Sequence, residues 1–198
     1  VRTCGLKRNE LFVTTKLSNG GHGYENTLKE FEMSMDNLDI DYVDLYLVHW
    51  PRPLSIRDKW KELNEGTWKA FEELYNAGKV KAIGVSNFLE NHIDAILDTA
   101  TIAPMVNQLE LHPQYVQRDV VEYCKDRRMI VEAWSPLIKG NFDHPVLLDI
   151  AGMYNKPLTK EDYLAAPYHV EPFRMLDATP VSDGGRAIVL TTAARAKA

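Results

Sequence analysis

The sequence predicts an α/β protein of repeating strand and helix units, and three observations predict it. The run Leu45 to Val48 has no solvent face and reads as a strand buried on both sides, as parallel strands are under helices. Five such runs alternate with helical stripes and start roughly 30 residues apart, close to one unit of an eight-unit barrel of about 250 residues. No Gly-x-Gly-x-x-Gly follows any strand. An open doubly wound sheet has the same rhythm, but its usual dinucleotide loop is missing, and this tips the balance toward a barrel.

In chain order, Leu11 to Leu17 is a β-branched strand stopped by Ser18-Asn19-Gly20-Gly21. Leu28, Phe31, Met35 and Leu38 recur at helical spacing and form the stripe of a helix lying on a sheet. The buried strand at 45–48 then ends in His49, Trp50 and Pro51. Polar groups just past the carboxyl end of a parallel strand stand where α/β enzymes place their chemistry.

From Arg52 to Glu65 the polar composition and two early prolines predict a loop with a short helix near Lys59 to Leu63. Trp68, Phe71, Leu74 and Tyr75 then form a separate helix, capped by Thr67 and stopped by Gly78. Lys81 to Phe88 is the next strand. Ile93, Ile96 and Leu97 mark a helix, Met105 to Leu111 a strand closed by His112-Pro113, and Val120, Val121 and Cys124 another helix. Arg127 and Arg128 suit the negative end of that helix. Met129 to Pro136 is the fifth strand, and Val146, Leu147, Ile150 and Tyr154 give a last stripe.

The 198 residues are 45% hydrophobic, enough for one domain with a real core, and carry a formal charge of −5. Without a clustered Lys/Arg run, neither a nucleic-acid surface nor a polybasic membrane anchor is expected, and no segment reaches the apolar length of a span. The expected partner is a small molecule and the expected compartment the cytoplasm. Cys4 and Cys124 have no metal-knuckle spacing, so no metal is expected and both are read as reduced thiols.

Five segments carry a family resemblance: LFVTTKL at 11–17, DYVDLYLVHWP at 41–51, GVSNF at 84–88, VNQLELHP at 106–113 and VEAWSPL at 131–137. In order and spacing they resemble the aldo-keto reductases over about residues 1–156. The resemblance implies a (β/α)8 TIM barrel with NADP(H) lying at the carboxyl ends of its strands and a carbonyl reduced to an alcohol. In this sequence it implies an incomplete barrel, units three to seven.

Matched to that family, Lys16 and His49 are the catalytic lysine and histidine. Ser86, Asn87 and Gln108 correspond to residues at the nicotinamide amide, and Trp134, Ser135, Pro136 and Leu137 to the segment against the ring and pyrophosphate. Trp50 resembles the substrate-pocket wall. Considered alone, Lys16 and His49 would read as solvated strand termini, Ser86-Asn87 as a turn, and both tryptophans as packing. Tyr42 and Tyr46 match no acid position, and His112 reads as structural.

The family's aspartate and tyrosine have no match among these residues. The expectations are therefore weak or absent NADP(H) binding, little turnover of an aldehyde, ketone or keto-sugar, and self-association through two open barrel edges. Residues 157–198, through Pro157 to Leu164, Pro172-Phe173-Arg174 and Pro180 to Gly185, resemble an internal thiolase segment. That implies an unrelated, chimeric tail behind a truncated barrel of residues 1–156. Arg186 departs from the thiolase pattern and weakens a strand over 187–190. A non-catalytic scaffold fragment and an acyl-CoA binding module are the alternatives.

Overall fold

Strand β2 (Leu45–Val48) is buried along its whole length, as its unbroken apolar run requires. A computed structural model describes residues 5–138, the helical positions 145, 147 and 148, and the backbone of three short strands beyond them. Around β2 lie β1 (Phe12–Leu17), β3 (Ile83–Ser86), β4 (Val106–Glu110) and β5 (Ile130–Trp134). The five pair in parallel in sequence order, β1 to β5. Helices α1 (Tyr24–Leu38), α2 (Trp60–Asn76), α3 (Glu90–Leu97) and α4 (Arg118–Asp126) make the crossovers. The result is part of a barrel wall, the arrangement read from the sequence.

Side chains two apart on a strand share a face, so the register sorts the strands into two cores. The larger core lies between sheet and helices. Tyr46 stacks on Phe71 at 4.5 Å between ring centroids and meets the edge of Phe31 at 5.2 Å. Each of these buried aromatics contributes roughly 2 to 3 kcal/mol. Burial of Tyr46 raises its phenol far above the ordinary tyrosine range, which excludes it as a proton donor. On the opposite face Leu45, Leu47 and Val106 form a thin second cluster. Gly84 lies on that face: a Cβ there would stand 2.6 Å from the Val106 carbonyl oxygen.

Two expectations change. Residues 52–59 are the expected connection, but the short helix near Lys59 to Leu63 and the helix expected to be capped by Thr67 are one helix, α2, in which Thr67 is buried. Two polar residues turned inward explain it. Thr67 Oγ1 accepts the Gly23 N–H at 2.8 Å, and Asn64 donates to the Pro51 carbonyl at 2.8 Å. Nor is the β1 edge open, because β8 (Ile188–Leu190) pairs antiparallel with it, in the stretch where a strand had looked doubtful. The helix expected around 146–154 is seen only at 145, 147 and 148; the remainder lies outside the described residues. A two-stranded antiparallel pair, β6 (Tyr168–Val170) and β7 (Phe173–Arg174), completes the elements. No helix among the described residues is long and apolar enough to cross a membrane.

Candidate active site

The register that builds the wall also builds the site. Lys16, Leu47, Gly84, Val106 and Ile130 pair across the five strands, and two residues further on Ser86, Gln108 and Glu132 pair on the same face. His49 follows the last residue of β2, whose neighbour across the ladder is Val85. These positions gather at the carboxyl ends of the strands.

Hydrogen bonds tie the cluster together. Asn87 is in the left-handed region at φ 62°, which ends β3 and turns its amide back over the sheet. Its Nδ2 donates to the His49 carbonyl and to Ser86 Oγ, both at 3.1 Å. Trp134 Nε1 donates to Asn87 Oδ1 at 2.8 Å. Ser86 Oγ, fully buried, donates to the Gln108 carbonyl at 2.9 Å. Gln108 Nε2 donates to Glu132 Oε1 at 2.7 Å, while Gln108 Oε1 is buried with no partner among the described residues.

Lys16 is half-buried on β1 and its ammonium acts on Glu132. Burial pushes the Glu132 carboxyl up, and the Gln108 hydrogen bond and the Lys16 charge partly oppose that rise. Ser135 follows β5 in the left-handed region at φ 55° and is buried, whereas Pro136 is half-buried and Leu137 exposed.

Trp50, 41% exposed, lines an open cavity of about 450 Å³ with Asn19, Arg52, Pro53, Leu54 and Ser55. Its carbonyl is held 3.0 Å from Nε2 of the buried His22. A carbonyl only accepts, so the Nε2 atom carries the proton. Burial lowers the His22 pKa, and the Trp50 and Asn19 backbone partly oppose this.

Ser86, Asn87, Gln108 and Trp134 are thus one linked group with the His49 backbone, and Lys16 reaches it through its charge on Glu132. Trp50 belongs to a neighbouring cavity, and Pro136 and Leu137 have no polar side chain with which to join the group. Reasoning from sequence missed Glu132 and His22. Glu132 had a signal, a charge inside VEAW in phase with Trp134; His22 sits in a glycine-rich turn and had none.

On this part of a parallel barrel wall the strand ends thus bring together Lys16, Glu132, the amides of Asn87 and Gln108, the Trp134 indole and the His49 backbone. Comparison fixes the family. The profile of the Aldo/keto reductase family matches residues 4–169, and the chain belongs to that family. Glyoxal reductase of Bacillus subtilis is 46% identical over 161 residues, which cover 81% of this chain and 55% of that protein. Morphine 6-dehydrogenase of Pseudomonas putida is 42% identical over 205 residues, 92% of this chain and 67% of that protein.

Among solved structures, an aldo/keto reductase from Brucella melitensis superposes with a TM-score of 0.71 at 41% identity, covering 79% of this chain and 58% of that one. A mutant of Gox0644 in complex with NADPH gives 0.67 at 39% identity, covering 76% and 54%. Against glyoxal reductase and both structures, the chain spans little more than half the length of the protein it matches.

The thiolase resemblance at 157–198 gains no support. The family match continues past residue 156, and the motifs behind the resemblance were a few residues each, too short to be specific.

Proposed function

We propose that these residues form the nicotinamide-binding and carbonyl-orienting wall of an NADP(H)-dependent reductase that converts an aldehyde, ketone or keto-sugar to its alcohol. One observation carries this: Asn87, Ser86, Gln108 and Trp134 are wired into a single rim beside His49, with one buried amide oxygen, Gln108 Oε1, left to accept. That orphaned acceptor fits the primary amide of a nicotinamide. NADPH, when bound, supplies the hydride. Support comes from a similar protein solved in complex with NADPH and from the kinship with glyoxal reductase.

In this proposal His49 orients the substrate carbonyl, and Lys16 supplies a cation that would favour the ionised form of an acid placed beside it. Trp134 packs on the nicotinamide ring, Ser135, Pro136 and Leu137 continue toward the pyrophosphate, and Trp50 walls the substrate cavity. No residue of the 198 matches the family's tyrosine or aspartate. A cytoplasmic location belongs to the same reading, and the free, buried thiol of Cys124 supports it.

Calorimetric titration with NADPH tests the reading. Saturable binding that Asn87→Gly weakens supports it, and binding that Asn87→Gly leaves unchanged overturns it. A scaffold role is the second proposal, favoured by β5, which has no strand on its outer side among the described residues and leaves Ile130 45% exposed. Concentration-dependent sedimentation distinguishes it.

A further inference from the structure

Glu132 is a half-buried carboxylate that none of the roles above uses. It pairs with Gln108 on the same rung of β4 and β5, and its Oε1 accepts the Gln108 amide N–H at 2.7 Å. An ionised carboxylate has no proton to donate, so only the NH2 end of the Gln108 amide can face it. The amide is planar with its two ends turned apart, so fixing the nitrogen toward β5 turns the oxygen away from it. That oxygen is buried and has no partner among the described residues. Gln108 itself is 2% exposed.

We propose that Glu132 is a positioning residue that sets the polarity of the Gln108 amide, making the strand-end rim an acceptor for a ligand N–H rather than a donor to a ligand carbonyl. The inference rests on the reductase reading in one respect, the identity of the ligand as a nicotinamide. Burial pushes the Glu132 carboxyl up, and Lys16 on β1 and Gln108 on β4, the groups that act on it, partly oppose that rise by favouring its charged form. With the carboxyl ionised, the amide has one orientation. With a glutamine at 132, which both donates and accepts, it has two.

The full chain is titrated with NADP+ and with its 3-acetylpyridine analogue, which keeps the carbonyl and replaces the amide NH2 by methyl. Wild type should favour NADP+ by about tenfold, the worth of one hydrogen bond. Glu132→Gln should reduce that preference to about twofold, because both amide orientations become accessible. Glu132→Met, which removes the acceptor, should lose it as well. Undiminished preference in both variants overturns the proposal.

A second readout needs no ligand. The Gln108 side-chain NH2 signals in NMR should move with pH in step with the Glu132 carboxyl carbon, and in Glu132→Gln they should stop titrating. Signals that ignore the carboxyl overturn the proposal. If wild type binds neither dinucleotide, the reductase reading fails, and the NMR titration still decides the role of Glu132.

Discussion

Gly84→Ala should destabilise the chain more than its one added methyl suggests. The new Cβ would lie 2.6 Å from the Val106 carbonyl oxygen, 2.8 Å from Leu47 Cδ2 and 3.0 Å from Val106 Cβ. Leucine can rotate away, but the other two atoms are fixed to β4. That strand is bonded to β3 and its flank through Met105 N to Ile83 O and Asn87 N to Gln108 O, both at 2.9 Å. Relief therefore means parting two strands directly below the Ser86 and Gln108 rung. Overpacking costs about 1 to 3 kcal/mol, and a backbone obstacle puts this site at the upper end. The entropy that alanine removes from the unfolded chain returns less than about 1 kcal/mol.

A net loss of about 2 kcal/mol lowers the midpoint by about 4 to 8 °C in a chain of this size. Scanning fluorimetry, checked by urea melts, measures it. Gly20→Ala is the control, since its nearest atom would be Ser18 Oγ at 3.8 Å. A Gly84→Ala midpoint within about 1 °C of wild type would refute the close-approach reasoning.

Glu132→Gln should flatten stability against pH. Because burial raises the Glu132 pKa, the folded state holds that proton more tightly than the unfolded state, so wild type loses stability as pH rises from the ordinary glutamate value through the raised one. Thermal melts between about pH 4 and 8 follow it, and a wild-type curve rising through that window because of this residue would contradict the sign. Asn87→Gly and Trp134→Phe, taken singly and together, should show a coupling of about 1 kcal/mol for the indole to amide hydrogen bond, and additive losses would dismiss it. Thr67→Val should cost about 1 to 3 kcal/mol by stranding the Gly23 N–H, with Thr67→Ser restoring most of it in urea melts.

The strand β2 was legible because burial on both faces leaves little room for polar residues, and it duly reads as an apolar run, whereas β4 is buried with Asn107 and Gln108 inside it. Helix α2 was split because Asn64 and Thr67 look like loop and cap chemistry until their buried partners, Pro51 and Gly23, are brought near. Those partners lie 13 and 44 residues away, beyond any local pattern. Of the site residues, His49 could be read because it ends an apolar run, whereas Lys16, Asn87 and Gln108 were read through the family resemblance. Glu132 offered only its phase with Trp134, since its meaning lies in pairing with Gln108 rather than in its own neighbours. The pairing of β8 with β1 is likewise a long-range fact with no local cue.

Beneath the polar rung, Leu45, Leu47 and Val106 act as an insulating floor. Hydrocarbon there keeps high-permittivity solvent from the underside, so the fields of Lys16 and Glu132 are screened from one side only. A polar atom introduced among those three aliphatic side chains would therefore alter the field at Glu132 without touching it.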